Sequence, residues 1–469
     1  MKKLLGVLDL SYLYAFLGEA TLALTLLFYV LLARQLGPEQ YEVFASAAAL
    51  GAILSLLISL GFPDLLTREV ALDPEAGARS TIHFLSVECV GALVVLLLLF
   101  PITRLLGVTG LDVAIFYLVI LAEVSRSIVL TLRSLLKGMG QFRAEMVVVS
   151  IERFFVVALA LTVLFLTQSL FWVILTFMLA RVLHLLGFLS YLNQRFRLWA
   201  PLNMARSLGA FKMALPLALS GVLWIVFYQA DILMLKGIAP AGEAGFYSAS
   251  YRIMEIFSAL YRVVFYVSFT RLSQSFGDNA QQMARQVYRT TLLLTVGILP
   301  VVLLASVFQI PLVNLIYGET YAPSVRSLSI LLPSIAVIIF GELARYILIA
   351  MKRDRYLPPL LVGAVLLNVA ANLVLIPRWG GAGAAIATLV SEAALTLVCL
   401  QVLIKLGYQR IGWTISAITL LGLGIVALPS LLLNSLVSVW IGGLGILGVG
   451  AIAFLLRPQH FLKASSQHI

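Results

Sequence analysis

Runs of about twenty apolar residues recur along the whole chain, separated by short polar stretches. They fall at 10–33, 43–63, 82–106, 111–135, 146–167, 170–192, 211–235, 245–269, 291–316, 328–350, 357–376, 382–404, 412–433 and 436–456. Each is long enough to cross a hydrocarbon core of about 30 Å as a helix. In lipid the backbone N–H and C=O groups have no water partner, so a spanning segment satisfies them internally by being helical. A membrane barrel would instead alternate apolar and polar positions in strands of about ten residues. The pattern predicts an all-α integral membrane protein with about fourteen transmembrane helices. No intervening polar stretch is long enough for a separate soluble catalytic domain.

Met1-Lys2-Lys3 ahead of apolar sequence has the look of a signal peptide. The run at 10–33 is too long for a signal core and lacks a convincing cleavage site, so it is expected to be the first membrane helix.

Composition agrees with the pattern. Hydrophobic residues make up 62% of the chain and charged residues 11%, with a mean hydropathy of +1.06. A soluble chain has roughly a quarter of its residues charged, so this one lacks the polar surface to sit in water. The net charge of +11 raises the question of nucleic acid, but the basic residues occur in small groups between apolar runs, and no nucleic-acid partner is expected. With the N-terminus in the cytoplasm, 21 of the 32 Lys and Arg residues fall on that side. The opposite loops hold five, Arg34, Arg104, Lys236, Arg326 and Arg378. This is the positive-inside asymmetry, and it would invert partway if a helix had been missed. The expectation is a multi-pass protein of the cell (inner) membrane with both termini cytoplasmic. Cys89 and Cys399 both lie in apolar runs, so neither a disulfide framework nor a metal site is indicated.

The chain also repeats. After the first run it reads Arg34-Gln-Leu-Gly-Pro38, with Phe44 and Ser46-Ala47 following. After the seventh it reads Lys236-Gly-Ile-Ala-Pro240, with Phe246 and Ser248-Ala249 at the same spacing. Thr67-Arg68 returns as Thr270-Arg271 at nearly the same offset. A six-helix unit is even-numbered, so both copies enter from one side and are related by a pseudo-twofold axis along the membrane normal. Such parallel repeats suit a transporter whose bundles rock around a central site. The expected organisation is a bundle over residues 1–206, a second over 207–410, and helices thirteen and fourteen with a cytoplasmic tail over 411–469.

Several motifs resemble the multidrug/oligosaccharidyl-lipid/polysaccharide (MOP) exporter superfamily, specifically its polysaccharide flippase branch. They are Leu32-Ala-Arg34-Gln-Leu-Gly37-Pro38-Glu39-Gln-Tyr41, Ser59-Leu-Gly61-Phe-Pro63 and Thr67-Arg68-Glu69. Later come Ile316-Tyr317-Gly318-Glu319-Thr-Tyr321-Ala-Pro323 and the stretch from Asn372 through Pro377 and Gly380 to Ala387. One departure is Glu42, where the family usually has Gly. The resemblance implies flipping of an undecaprenyl-diphosphate-linked oligosaccharide from the cytoplasmic to the outer leaflet. It implies no cofactor, and it suggests polysaccharide-assembly proteins as partners beside the lipid-linked sugar and membrane lipid.

Ionisable residues inside spans are costly and face a cavity or a partner. Glu123/Arg126, Arg252/Glu255 and Glu342/Arg345 stand three apart, which places each pair on one helix face. Mutual neutralisation that locks helices together is the plain account of the first and third pairs. Tyr251-Arg252-Ile-Met254-Glu255 resembles the eighth-helix segment of lipid II flippases, where the matching Arg lines the headgroup cavity. A guanidinium stays charged and can grip a diphosphate through two hydrogen bonds. Arg262 lies ten residues on, near the same face and roughly 15 Å deeper. Arg252, Arg262, Arg126, Arg181 and Arg345 are the candidate headgroup-binding residues. Glu19, Glu255 and Glu392 are the candidates for H+ or Na+ coupling, although pairing with another helix is the plainer account of Glu19 and Glu392. His184 shares a face with Arg181 and is expected to be a buried hydrogen-bonding residue. Asn368 and Asn372 are expected to bond neighbouring helices.

The sequence shows no catalytic set and no nucleotide-binding motif. The rival functions are a cation-coupled multidrug exporter, which favours carboxylates over arginines in its cavity, and a membrane glycosyltransferase or polymerase, which needs a large external catalytic loop.

Overall fold

The computed structural model describes residues 21–196, 198, 201–275, 280–431 and 436–455. The first seven helices are α1 (Leu22–Ser59), α2 (Phe62–Leu72), α3 (Pro74–Leu105), α4 (Leu111–Gly138), α5 (Phe142–Thr167), α6 (Leu170–Phe196) and α7 (Met204–Ile238). There follow α8 (Glu243–Ser275), α9 (Ala280–Leu293), a π-helical turn (Leu294–Ile298), α10 (Leu299–Val307) and α11 (Gln309–Tyr317). The last four are α12 (Ser324–Ala350), α13 (Leu357–Lys405), α14 (Gln409–Leu431) and α15 (Leu436–Leu455). Among the described residues there is no strand.

Eleven helical segments among the described residues are long and apolar enough to cross a membrane. Two of them, Ala23–Leu72 with 50 residues and Asp354–Lys405 with 52, would extend roughly 75 Å if straight, far beyond one crossing. Each is broken by a glycine in a left-handed conformation, Gly37 at φ 78° and Gly380 at φ 53°. A side chain is strained at such φ values, so glycine is the natural residue at both breaks. Pro38 then starts the next helix, where its missing N–H costs nothing. At the other break the Gly381 N–H donates to Glu243 Oε2 at 2.8 Å, so a carboxylate caps the restarted helix. Counting each broken helix as two crossings, and adding the shorter apolar stretch Ile441–Ile452 of α15, gives the expected fourteen.

Helix ends depart from the apolar runs where local chemistry overrides them. α3 begins at Pro74, well before the run at 82–106, because Asp73 Oδ1 accepts the Glu75 and Ala76 N–H groups at 3.1 and 3.0 Å. The ninth run at 291–316 is divided among α9, the π turn, α10 and α11. Pro300 and Pro311 explain this: each removes a ladder donor and crowds the carbonyl four residues back, which the π turn before Pro300 absorbs.

The chain divides into two compact units, Met1–Gly237 and Ile238–Ile469. In the first, α4 is central and packs on α1, α2, α3 and α6. Its apolar core joins Phe62 and Leu66 of α2, Leu132 and Leu136 of α4, and Phe188 and Leu192 of α6. In the second, α12 is buried along almost its whole length and packs on α8, α13 and α14.

Candidate functional site

In the first unit, α4 carries Glu123 and Arg126 on one face, and α6 brings Arg181 to the same carboxylate. Arg126 Nε donates to Glu123 Oε2 at 2.7 Å, and Arg181 Nη1 donates to Glu123 Oε1 at 2.6 Å. One carboxylate thus serves two guanidinium groups, and the cluster carries a formal charge of +1. Arg181 is fixed from behind: its guanidinium lies 4.3 Å over the Phe177 ring, which stacks on Phe28 at 5.4 Å. A cation over an aromatic face is held by the ring quadrupole. The side chains of Glu123 and Arg181 are about one-tenth exposed (10% and 9%), whereas that of Arg126 is 34% exposed. Arg126 is therefore the cation of this cluster that a ligand can reach. Gly51 of α1 makes room for the carboxylate, because a Cβ there would lie 2.7 Å from Glu123 Cγ.

Several other ionisable groups of this unit have neighbours within it. Glu88 is fully buried and accepts from Thr131 Oγ1 at 2.6 Å. Arg153 Nη1 donates to Thr21 Oγ1 at 2.9 Å. Arg133 and Glu145, both buried, form a short ion pair, with Lys137 Nζ 3.7 Å from the same carboxylate oxygen. His184 lies in a stacked arrangement with Phe188 at 6.1 Å. Glu42, the departure from the family pattern, is buried and paired with Lys236 Nζ at 2.8 Å.

In the second unit, Arg252 Nη1 donates to Glu255 Oε2 at 2.6 Å on α8, and both are partly buried. Arg262 on the same helix is exposed and makes no ion pair among the described residues. It adjoins Tyr261 and Phe265, whose ring stacks on Tyr346 at 4.8 Å. Arg345 of α12 lies 2.9 Å from Glu342 and 3.6 Å from Glu392 of α13. Arg345 and Glu392 are buried, and this cluster carries a formal charge of −1. Asn372 Nδ2 donates to Asn368 Oδ1 at 3.0 Å, and Asn368 Nδ2 reaches Ser391 Oγ at 3.3 Å, linking the two halves of α13 across the Gly380 break. Glu19 lies outside the described residues.

The structure thus gathers Arg126 with Arg181, joins Glu392 to Arg345, and keeps Glu255 with Arg252. Sequence spacing shows the three pairs three residues apart. It misses Arg181–Glu123, Arg345–Glu392 and Glu42–Lys236, which join separate helices and leave no periodic signal. Among the described residues, no three His, Cys, Asp or Glu side chains gather as a metal site.

The fold is shared with solved transporters. An inward closed conformation of the lipid II flippase MurJ matches with a TM-score of 0.70 at 15% identity, covering 95% of this chain and 100% of that one. An inward-facing multidrug resistance MATE family transporter of the MOP superfamily matches with a TM-score of 0.62 at 14% identity, covering 85% and 95%. A MOP superfamily transporter from Pyrococcus furiosus, with a binding pocket described as of reverse polarity, matches at 0.56 and 15% identity, covering 87% and 94%. Among curated proteins, the probable low-salt glycan biosynthesis flippase Agl15 of Haloferax volcanii is 26% identical over 246 residues. That match covers 50% of this chain and 51% of the relative, so the chain spans about half the length of the curated protein it matches. The profile of the polysaccharide biosynthesis protein family matches residues 12–276, more than half of the sequence. With the fold of MOP superfamily transporters and that sequence match, this multi-pass membrane chain belongs to the polysaccharide biosynthesis protein family.

Proposed function

We propose that the protein is a flippase, not an enzyme, moving a polyprenyl-diphosphate-linked oligosaccharide from the cytoplasmic to the outer leaflet by alternating access, for surface polysaccharide biosynthesis. The family match and the half-length likeness to a probable glycan flippase support this substrate class. The observation that carries the reading is the Arg126–Glu123–Arg181 cluster, which holds one positive charge in excess within a membrane segment and leaves Arg126 a third exposed. Holding an uncompensated cation there is costly unless an anion visits it. A diphosphate supplies that anion and suits a planar guanidinium.

Arg126 and Arg252 are the foremost candidates for headgroup contact, with Arg262 as an exposed cation on the helix of Arg252. Arg181 and Arg345, each engaged with a carboxylate and buried, position these clusters. Glu255 and Glu392 are candidates for coupling to H+ or Na+. The distribution of basic residues supports two cytoplasmic termini in the cell (inner) membrane, with polysaccharide-assembly proteins as partners. An excess-carboxylate cluster at Glu342–Arg345–Glu392 is the one feature that favours the second reading, a cation-coupled multidrug exporter.

The test is flipping of a fluorescent polyprenyl-diphosphate oligosaccharide in proteoliposomes. Arg126→Gln and Arg252→Gln should each lower the rate at least about tenfold, the cost of roughly one charged hydrogen bond to the headgroup. Wild-type rates in both variants would overturn the site. Efflux of an organic cation without glycolipid flipping would favour the exporter.

A further inference from the structure

The antiparallel helices α5 and α6 enclose a groove of 790 Å³ that no part of the transport reading uses. Its lining runs from Gln141, Arg143 and Arg195 at one end to Ile151 and His184 at the other. By helical rise, Ile151 lies roughly 12 Å from Arg143 and His184 roughly 16 Å from Arg195 along their helices. The groove is therefore elongated along the membrane normal, with its basic end where α5 begins and α6 finishes. Val147, Val148, Ile151 and Phe188 form an apolar wall, and Val147 and Ile151 are 43% and 55% exposed. Leu183 and Leu186 on the neighbouring surface of α6 are also exposed, so the groove sits in a lipid-facing flank.

Three features indicate what fills it. No acidic residue lines it, while two guanidinium groups stand at one end. Arg143 has no ion pair or hydrogen bond among the described residues; Arg195 donates to the Tyr191 hydroxyl at 2.8 Å and lies 5.3 Å over the Phe196 ring, and neither contact brings a negative charge, so both cations stay unneutralised. Gly187 lies in the middle of α6 with ordinary helical geometry, where glycine is destabilising relative to alanine. Among the described residues nothing lies within 4 Å of where its Cβ would be, so none of them explains it. A chain pressed against the helix backbone from outside does.

We propose that this groove is a binding site for an anionic phospholipid, with the phosphate on Arg143 and Arg195 and an acyl chain running past Gly187 along the α5/α6 wall. Basic pockets between membrane helices at the membrane surface recognise anionic headgroups in this way. The wall supplies the apolar contact that a headgroup site alone lacks. A bulk lipid is favoured over the scarcer glycolipid carrier because occupancy follows concentration. The site stands apart from the Arg126 cluster and does not depend on the flippase reading.

The experiment is native mass spectrometry of the full chain released from nanodiscs of phosphatidylcholine with phosphatidylglycerol. Wild type should retain phosphatidylglycerol in preference to phosphatidylcholine. Arg143→Gln/Arg195→Gln should weaken that retention about thirtyfold, at the usual contribution of two basic groups near a membrane surface. Gly187→Leu adds bulk where a Cβ meets no described atom, and should abolish retention with a melting temperature no lower than that of wild type. Arg104→Gln should leave retention as in wild type. Unchanged phosphatidylglycerol retention in the double variant or in Gly187→Leu would overturn the proposal. So would a groove that keeps only an added polyprenyl phosphate, or a Gly187→Leu variant that loses a dimer but keeps its lipid.

Discussion

The two six-crossing repeats expected from the sequence place a charge cluster on the helix at the same ordinal position, and the clusters have opposite sign. In the first unit the fourth crossing, α4, carries Glu123 and Arg126, and the sixth, α6, adds Arg181. In the second repeat expected from the sequence, counted from α7, the fourth crossing, α12, carries Glu342 and Arg345, and the sixth, the later half of α13, adds Glu392. The three-residue spacing within the pair is the same. Only the third member changes, from arginine to glutamate. A central carboxylate between two cations in one unit becomes a central cation between two carboxylates in the other. Counted on that expected repeat, the position of the charge network is the same, and the last partner sets its sign.

That comparison makes a graded set of expectations. Removing the central member should do the most damage, because it leaves two like charges facing each other across the gap, one of each pair buried. Glu123→Gln and Arg345→Gln should each cost about 3–5 kcal/mol, measured by reversible denaturant unfolding in detergent. Removing an outer member leaves a balanced pair. Arg181→Gln and Glu392→Gln should therefore cost only about 1 kcal/mol, the lost bond being offset by relief of the excess charge. Arg126→Gln should be milder still, since a third of that side chain is already exposed and screened. Equal losses for central and outer members would break the analogy between the units. A steric change probes the same carboxylate and falls between these limits: Gly51→Ala presses on Glu123 and should cost about 1–3 kcal/mol by overpacking, with a matching fall in thermal stability.

Much of the fold is legible in the sequence because the bilayer imposes a simple demand. Apolar runs of spanning length must be helices, and the positive-inside bias keeps their count in register. What escapes that reading is local. Asp73 and Pro74 extend α3 through a cap, and Pro300 and Pro311 divide the ninth run, neither of which changes mean hydropathy. The site divides along the same line. Glu123/Arg126 and Arg252/Glu255 are visible because neighbours three apart on a helix share a face. Arg181–Glu123 joins residues 58 positions apart through the packing of α4 on α6, and nothing in either segment alone announces it. Glu392 likewise looks isolated until α13 folds back at Gly380 and brings it to α12.

The buried Glu42–Lys236 pair has a consequence for lineages. Glu42 stands where the family pattern that the chain resembles has glycine, and its carboxylate is neutralised by a lysine 194 positions away. Either residue alone would leave its charge without this counter-charge, so the two residues are expected to be inherited together. An alignment of close relatives should show glycine at the first position travelling with an uncharged residue at the second. Free assortment of the two would mean that each charge finds its compensation elsewhere.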